Sequence, residues 1–338
     1  MKAVLMTQAG DPNVLSVADI PEPVITKANE VKIRLKAAGV NPIDTKVRAR
    51  GVFYPDGLPA VLGCDGAGVV VETGSAVQRF KAGDAVWFCH GGLGGEQGNY
   101  AQFTVVDEAF VSHKPASWSF EQAAAAPLVV ITAWEALLDR AHLQPGQTVL
   151  IHAGAGGVGH VAIQLAQQFG ARICTTVSSV EKADFVRELG ADHVIDYTQQ
   201  DVLESVMQWT DGRGVDVVFD TVGPVVLQQS LPLTAYYGRL VTLLDPGTGI
   251  NWKAARDRNL SISFELMLTP MLNQGPNKEL HQARLHQITI LDKCRELAEA
   301  GKLTVEVAHY YPLKDAAQAH RAIEAGHLTG KVVLIIES

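Results

Sequence analysis

The sequence predicts an α/β protein in which a β-rich region precedes a doubly wound parallel sheet of six strands. From about residue 148 to residue 265, short β-branched runs alternate with helical segments, a pattern typical of a parallel sheet. Residues 1 to about 126 instead contain short strand-like runs separated by Gly, Pro and Asp turns. A globular chain of 338 residues, of which 47% are apolar, is longer than chains that form a single hydrophobic core, so we expect two domains.

In the β-rich region no long helical stripe interrupts the strands. The runs expected there are Val31–Ala37, Gly68–Glu72, Asp84–Phe88 and Gln102–Val106. The six strands expected in the parallel sheet are Thr148–Ala153, Arg172–Val177, His193–Ile195, Val215–Asp220, Arg239–Leu244 and Leu260–Glu265. Helices are expected at Val158–Phe169 and Glu181–Leu189, because each carries helical spacing and is followed by a glycine stop.

In the last part of the chain, predicted helices and strands alternate after a loop. A loop from Thr269 to Asn277 precedes a helix (His281–Ala300), a strand (Thr304–His309), a helix (Asp315–Ala325) and a strand (Lys331–Ile336). We expect this tail to complete the first domain. The predicted domains are therefore 1–126 with 271–338, and 127–270.

Composition excludes several classes of function. The net charge is −8 and no basic cluster is present, so we expect neither nucleic acid nor an anionic membrane as a partner. The N-terminus lacks the apolar core of a signal peptide, and the longest apolar stretch, Ala123 to Trp134, is too short to span a bilayer. Four scattered cysteines indicate reduced, buried thiols in a cytoplasmic protein.

A glycine-rich turn closes the first strand of the parallel sheet. The run Val149–Val158, closed by Gly159, passes directly from β-branched residues through small residues into a helical pattern. Such a turn exposes backbone N–H groups at the positive end of a helix, which is a seat for pyrophosphate. The residues expected to form it are Ala153, Gly154, Gly156, Gly157, Val158 and Gly159. We expect His152, just before the turn, to be hydrogen bonded locally.

The end of the second strand indicates which dinucleotide binds. An NAD site usually places an acidic residue there for the ribose 2′-hydroxyl, whereas this chain has Ser178, Ser179 and Lys182. These side chains could bind a 2′-phosphate, so we predict NADPH. Glu181 argues against this, although we expect it on the outer face of the next helix. The alternative is a helix-capping serine with a solvated lysine.

Two further strand ends suit a cofactor lying over the carboxyl edge of the sheet. The fourth strand ends in Asp220-Thr221-Val222-Gly223, and the fifth leads into Leu243-Leu244-Asp245-Pro246-Gly247. Small or turn-forming residues there permit close approach by ribose and nicotinamide. Leu243 and Leu244 are therefore predicted cofactor contacts.

Ordered motifs along essentially the whole chain resemble the medium-chain dehydrogenase/reductase superfamily, and within it the zinc-free quinone oxidoreductase (zeta-crystallin-like) branch. They are Ala38–Asp44, Leu62–Val70, Gly83–Val86, Thr132–Leu137, Ala153–Gly159 and Gly330–Leu334. The resemblance implies a GroES-like β-rich catalytic domain closed by the C-terminal tail, a Rossmann domain with NADPH, and a homodimer formed through the edge of the Rossmann sheet.

The chain departs from the zinc enzymes of that superfamily. They carry a Cys where this chain has Asn41 and a His where it has Cys64, and their third ligand falls near Leu128. The lobe expected for structural zinc, around 90–110, contains no cysteine, with only Cys89 nearby. A catalytic zinc needs three protein ligands, so we expect none to be bound. Without a Lewis acid, hydride transfer from NADPH to a quinone or an α,β-unsaturated carbonyl (enone) is the accessible reaction.

By resemblance, Asn41 and Asp44 lie beside the nicotinamide ribose, and Thr132 lies beside the nicotinamide ring. Asn41 is alternatively the start of an Asn-Pro turn. Tyr54 could cover the substrate or donate a proton, or it could be an exposed loop tyrosine. Many relatives carry an aromatic residue where this chain has Lys46.

Two further residues are assigned to the cofactor by the resemblance. Tyr197 is similar to the family's adenine-side tyrosine, or is simply an aromatic residue at a strand end. Lys331 could approach the cofactor phosphates or lie on a solvated edge. Two other functions remain open: a reductase of the same architecture with a different acceptor, and a non-catalytic NADPH-binding protein with a structural or regulatory role.

Overall fold

Short strands dominate the N-terminal region, as the sequence predicts. This computed structural model describes residues 1–54, 56–272 and 277–337. The strands of the region are β1 (Lys2–Met6), β2 (Leu15–Asp19), β3 (Glu30–Val40), β4 (Ala60–Val61), β5 (Asp65–Thr73), β6 (Ala85–Cys89), β7 (Phe103–Asp107) and β8 (Val111–His113). The four predicted runs match β3, β5, β6 and β7 within a few residues.

Two helices lie in this region that the sequence pattern did not predict. They are α1 (Pro42–Arg50) and α2 (Phe120–Ala125). Helix α1 begins because Pro42 occupies its first position and the Asp44 carboxylate accepts the Asn41 N–H at 2.8 Å. It ends at Gly51, whose φ of 108° suits glycine. The Asn-Pro-x-Asp spacing was therefore a helix start signal, in a helix too short for a clear apolar stripe.

The central region forms the predicted sheet of six parallel strands. They are β9 (Thr148–Ile151), β10 (Arg172–Val177), β11 (His193–Asp196), β12 (Val215–Asp220), β13 (Thr234–Thr242) and β14 (Ser261–Phe264). Their spatial order is β11-β10-β9-β12-β13-β14. Strand β13 begins five residues before the predicted Arg239, and its register against β12 shifts between Val215 and Val217.

Helices flank these strands along the chain. They are α3 (Pro127–Trp134), α4 (Gly159–Gln168), α5 (Val180–Glu188), α6 (Val202–Trp209), α7 (Pro224–Ser230) and α8 (Lys253–Asp257), with a π-helix at Glu135–Arg140. The two predicted helices correspond to α4, which is one residue shorter at each end, and to α5, which has the predicted length but begins and ends one residue earlier. An apolar cluster of buried side chains, including Leu150, Val218 and Leu240, packs on the sheet.

The C-terminal tail contains α9 (Thr269–Leu272), α10 (Lys278–Glu299), β15 (Val307–Pro312), α11 (Ala316–Ala325) and β16 (Lys331–Ile335). The predicted loop was wrong at Thr269–Leu272, which is helical, and its residues 273–276 lie outside the described part of the chain. The predicted strand Thr304–His309 starts three residues too early. Strand β16 pairs with β15 on one side and antiparallel with β3 on the other.

The described chain divides into two compact units. Unit 1 comprises Met1–Leu128 and Leu268–Ser338, and unit 2 comprises Val129–Met267. Unit 1 contains a three-stranded sheet, β2-β1-β4, and a seven-stranded sheet ordered β15-β16-β3-β5-β6-β8, with β7 paired to β3. Unit 2 contains the parallel sheet. Over the described residues, every helix is too short or too polar to cross a membrane.

Candidate functional site

At two positions of the turn between β9 and α4, the surrounding atoms leave no room for a side chain. A Cβ atom at Gly154 would lie 2.0 Å from Oγ1 of Thr175, and one at Gly159 would lie 2.3 Å from the Ala153 carbonyl oxygen. Ala153 itself adopts a φ of 50°, a conformation that non-glycine residues seldom take. The glycines thus allow α4 to start directly against the strands.

This turn fits a pyrophosphate. Gly156, Gly157 and Val158 are half-buried just before α4. The first N–H groups of a helix have no acceptor within the helix, and the first turn of α4 contains no acidic residue. The N-terminus of this ten-residue helix can therefore attract an anion.

The predicted 2′-phosphate ligands follow β10, and Tyr197, the predicted adenine-side residue, follows the neighbouring strand β11. Ser179 caps α5 by accepting the Lys182 N–H at 3.3 Å, and Lys182 Nζ donates to Ser178 Oγ at 3.2 Å. Tyr197 follows β11, is 51% exposed, and its N–H donates to the Val177 carbonyl oxygen. The structure thus brings these four residues to one edge of the sheet, and the capping alternative for Ser179 holds at the same time.

Glu181 is exposed, as expected, but it is not remote from these residues. Hydrogen bonds from its own backbone N–H and from the Ser179 hydroxyl lower the pKa of its carboxyl group. A negative charge therefore lies beside the predicted phosphate ligands. The charge of Glu181 opposes phosphate binding. The sequence pattern had suggested that Glu181 would lie too far away to matter.

A buried polar group surrounds His152, which follows β9, and includes Thr176 of β10, Ser230 of α7 and Asp220 of β12. His152 bonds Thr176 Oγ1 at 3.3 Å and Ser230 Oγ at 2.9 Å, which confirms the expected local bonding. Burial lowers the pKa of His152 to about 4, against the opposing charge of Asp220. His152 is therefore a neutral structural group.

The predicted contacts Leu243 and Leu244 are half-buried just beyond β13. The Leu243 N–H donates to the Asp220 carbonyl oxygen at 3.2 Å. Leu244 Cδ1 lies 3.0 Å from the position that a Cβ of Gly223 would take, so Gly223 allows these two strand ends to approach closely.

Thr132 is a buried residue of α3, with 5% exposure. Its neighbour Trp134 packs edge-to-face on Phe169, with ring centroids 5.5 Å apart, and is therefore part of the core.

In unit 1, the Ala38–Asp44 motif meets the C-terminal strand in a buried charged group. Asn41, Asp65 and Lys331 are 0%, 0% and 3% exposed. Asn41 Nδ2 donates to Asp65 Oδ2 at 2.9 Å, Lys331 Nζ donates to Asn41 Oδ1, and Lys331 Nζ lies 3.8 Å from Asp65 Oδ2. Burial raises the pKa of Asp65 and lowers that of Lys331, while their mutual attraction opposes both shifts.

Of the predictions made for this group, the one for Lys331 needs correction. Asn41 was expected beside the nicotinamide ribose, and this stays a prediction. In the structure its Oδ1 accepts from Lys331, and its Nδ2, which carries two hydrogens, donates one of them to Asp65. Lys331 is neither on a solvated edge nor free to reach a phosphate, because its ammonium is buried between those two partners. The β16–β3 pairing places Val332 opposite Val40 and so brings Lys331 beside Asn41.

A second chain of hydrogen bonds starts at Asp44, which is also fully buried. Asp44 Oδ2 accepts from the Asn41 N–H at 2.8 Å and from the Tyr100 hydroxyl at 3.1 Å, and Tyr100 lies 3.2 Å from His320 Nε2. Burial, with a smaller contribution from the charge of Asp65, raises the pKa of Asp44 to about 7. Burial lowers the pKa of His320 to about 3. The expected place of Asp44 beside the ribose stays a prediction.

Two thiols complete the buried group. Cys64 and Cys89 hydrogen bond to Asp44 and Asp65, respectively, and burial raises the pKa of both thiols. All four cysteines are buried and free. Across the described ranges, no three His, Cys, Asp or Glu side chains are placed to hold a metal ion.

Tyr54 is half-buried, and its hydroxyl donates to the Met271 carbonyl oxygen at 2.8 Å. It is therefore held in place, unlike a freely exposed loop tyrosine. Lys46 is half-buried on α1, and burial and the charge of Arg50 lower its pKa.

Sequence reasoning missed Asp65, Tyr100 and His320 as members of the buried group. Asp65 lies within the Leu62–Val70 motif, directly after Cys64, so its position in that motif was the available signal. Tyr100 and His320 are 220 residues apart and meet only in the fold, so no local pattern could join them.

Comparison with known proteins gives the family. Residues 27–116 match the alcohol dehydrogenase GroES-like domain, and residues 189–334 match the zinc-binding dehydrogenase family. The quinone oxidoreductase of Pseudomonas aeruginosa is 36% identical over 337 residues, 99% of each chain.

Solved structures agree over the whole length. An alcohol dehydrogenase superfamily protein from Novosphingobium aromaticivorans superposes with a TM-score of 0.90 at 34% identity, covering 100% of both chains. The Escherichia coli quinone oxidoreductase complexed with NADPH gives a TM-score of 0.84 at 31% identity, covering 99% of this chain and 100% of that one. The chain therefore belongs to the medium-chain dehydrogenase/reductase superfamily, and its relatives over the full length include quinone oxidoreductases.

Proposed function

We propose that this protein transfers a hydride from NADPH to a quinone or an enone without the help of zinc. The observation that carries the proposal is the buried group at Asn41. This residue stands where zinc alcohol dehydrogenases have a ligand, and its amide is bonded to Asp65 and to the Lys331 ammonium. A buried ammonium repels a divalent cation at that position. One of the matched family descriptions names zinc, but the ligand residues at 41 and 64 differ in this chain.

The glycine turn and the edge beside it are the proposed cofactor contacts. Gly154 and Gly159 let α4 start close to the strands, so that its N-terminus can hold a pyrophosphate, and Lys182 with Ser178 offers donors to a 2′-phosphate. When bound, NADPH would supply the hydride. The NADPH complex of the Escherichia coli relative supports this choice of cofactor.

The acceptor is proposed to be a quinone or an enone because its developing negative charge is delocalised and can be stabilised by hydrogen-bond donors. We propose that Tyr54 covers this acceptor, since its ring is held by the bond to Met271. The buried charged group around Asn41 and Asp44 then holds the start of α1 rather than the substrate.

Cofactor preference can be tested by fluorescence titration with NADPH and NADH. We expect NADPH to bind more tightly, and Lys182→Ala to weaken NADPH about tenfold while leaving NADH unchanged, since a single charge-assisted bond contributes roughly 1.5 kcal/mol or more. Glu181→Gln should strengthen NADPH binding, because it removes the adjacent negative charge. Tighter binding of NADH than of NADPH by the wild-type protein would contradict the assignment.

The reaction can be tested by NADPH oxidation with a panel of 1,2- and 1,4-quinones, short enones and simple ketones. Turnover with quinones or enones supports the proposal, and turnover restricted to ketones would support a reductase with a different acceptor. Clear NADPH binding without any turnover would indicate a non-catalytic protein. Stoichiometric zinc in elemental analysis of the purified, active protein would refute the zinc-free mechanism.

We also propose that two copies associate through β14. This strand pairs only with β13 among the described strands, and Phe264 at its end is 58% exposed. An unpaired edge strand with an exposed aromatic residue is a surface that another strand can pair with.

A further inference from the structure

The segment that replaces the cysteine-rich lobe is a tightly packed loop of glycines. We call Gly91–Gly95 the glycine loop. A Cβ at Gly91 would lie 2.1 Å from the Gln97 carbonyl oxygen, and one at Gly92 would lie 2.7 Å from the backbone of Gly63. Gly91, Gly92 and Gly94 all have positive φ values between 77° and 94°. The loop therefore needs glycine both for its conformation and for backbone-to-backbone contact.

The two ends of the glycine loop are held together. His90 is buried, and its Nε2 is hydrogen bonded to the Glu96 carboxylate, while its ring lies on Phe110 with centroids 4.0 Å apart. The Gly92 N–H also donates to the Glu96 carbonyl oxygen at 3.1 Å. On the preceding side, the His90 N–H donates to the Cys64 carbonyl oxygen at 2.7 Å, so the loop is anchored beside the buried charged group.

The far side of the glycine loop contacts the segment that carries Tyr54. A Cβ at Gly94 would lie 2.2 Å from Cβ of Val52, and a Cβ at Gly57 would lie 2.2 Å from the Gly94 carbonyl oxygen. The Phe53 N–H donates to the Leu93 carbonyl oxygen at 3.0 Å. The loop therefore fixes both ends of the stretch around Tyr54.

We propose that the glycine loop, closed by the His90–Glu96 pair, is a positioning element that sets the place of Tyr54 over the acceptor. This inference rests on the proposed function, because it takes Tyr54 to contact the acceptor. The loop residues act through Tyr54 and do not touch the substrate themselves. Gly94 is the loop residue to substitute, because it lies directly against Val52 and Gly57 on either side of Tyr54.

Gly94→Ala tests the proposal, with Gly83→Ala as its matched control. Gly94 and Gly83 have φ values of 94° and 97°, so alanine strains the backbone equally at both positions, but only the Cβ at Gly94 meets a neighbour within 4 Å. We expect Gly94→Ala to speed amide hydrogen exchange at Phe53, whose bond to Leu93 it disturbs, and Gly83→Ala to leave that exchange unchanged.

Steady-state kinetics distinguish a misplaced Tyr54 from a general loss of folded structure. Gly94→Ala should raise the acceptor KM by about tenfold with NADPH affinity unchanged within about twofold, since a shift of an ångström in a contact residue has effects of this order or larger. Adding Val52→Gly, which removes the atoms that clash, should restore the KM. In a Tyr54→Ala background, Gly94→Ala should add no further loss.

Three outcomes would overturn the proposal: kinetics and exchange equal to those of Gly83→Ala, faster exchange at Phe53 with an unchanged KM, or a parallel loss of NADPH affinity. Failure of the proposed function would appear separately, as an absence of wild-type turnover or as an unchanged acceptor KM in Tyr54→Ala. Either result also overturns the positioning role, but it does so without any change at Gly94.

Discussion

Charge balance governs the buried group in unit 1. Lys331 contributes one positive charge and Asp44 and Asp65 up to two negative charges, and all three side chains are excluded from solvent. Burial raises the pKa of Asp44 to about 7, so below this pH the residue carries a proton that brings the group close to zero net charge. Within the described chain, Asp44 Oδ1 has no hydrogen-bond partner, so ionisation of Asp44 would leave a poorly compensated buried charge.

The first prediction concerns the pH dependence of stability in Asp44→Asn. The pKa of Asp44 is raised from 3.8 to about 7 on folding, so the folded state binds more protons than the unfolded state between these values. The wild-type protein therefore loses stability as pH rises through this range. Asparagine does not titrate, so the free energy of unfolding of the variant relative to wild type should increase by about 2 kcal/mol between pH 5 and pH 8.

Urea unfolding at several pH values measures this difference. Asp257→Asn is the control, because Lys253 lowers the pKa of that exposed carboxyl group below 3.8 and keeps it ionised over the whole range. A difference between Asp44→Asn and wild type that stays constant from pH 5 to pH 8 would show that Asp44 titrates near its ordinary value.

At the scale of elements, the parallel sheet was the most predictable part of the molecule. Strands β10 and β12 are largely buried on both faces and read as continuous β-branched runs, so they were predicted with their observed bounds. Helix α1 was missed because its nine residues carry no clear apolar stripe, and its start signal was considered only as an alternative Asn-Pro turn. The burial of Lys331 was unpredictable because it depends on partners 266 and 290 residues away in sequence.

The second prediction tests why the turn before α4 requires glycine. Gly154→Ala places a Cβ 2.0 Å from Oγ1 of Thr175, which itself donates to the Ile151 carbonyl oxygen at 2.7 Å. The resulting displacement should cost roughly 1–3 kcal/mol of unfolding free energy and weaken dinucleotide binding at least tenfold. Gly249→Ala is the matched control, since neither glycine has a positive φ and a Cβ at 249 meets nothing within 4 Å.

Denaturant unfolding and fluorescence titration report the two effects of Gly154→Ala separately. If Gly154→Ala and Gly249→Ala bind NADPH equally well, close packing at the turn is not what holds the cofactor.

For the whole molecule, the exposed edge strand of the parallel sheet is the surface on which two copies can associate. In unit 2, β14 is an edge of the parallel sheet and is followed by Leu266, which is 52% exposed. The Glu265 N–H donates inward to the Thr242 carbonyl oxygen at 3.0 Å, so by alternation the Phe264 N–H points away from β13. A second chain can therefore pair with β14 without disturbing the existing sheet.

The third prediction tests whether β14 joins two copies, by measuring the mass of the protein in solution. Light scattering should give the wild-type protein a mass twice the 36.3 kDa of one chain. Phe264→Lys places a charge on the outward edge, which opposes strand pairing, and should shift the mass toward 36.3 kDa at micromolar concentrations. Val225→Lys is the control, because Val225 is a 73% exposed residue of α7 and lies outside the edge strand. A wild-type monomer, or a Phe264→Lys dimer as stable as the control, would remove β14 as the contact between copies.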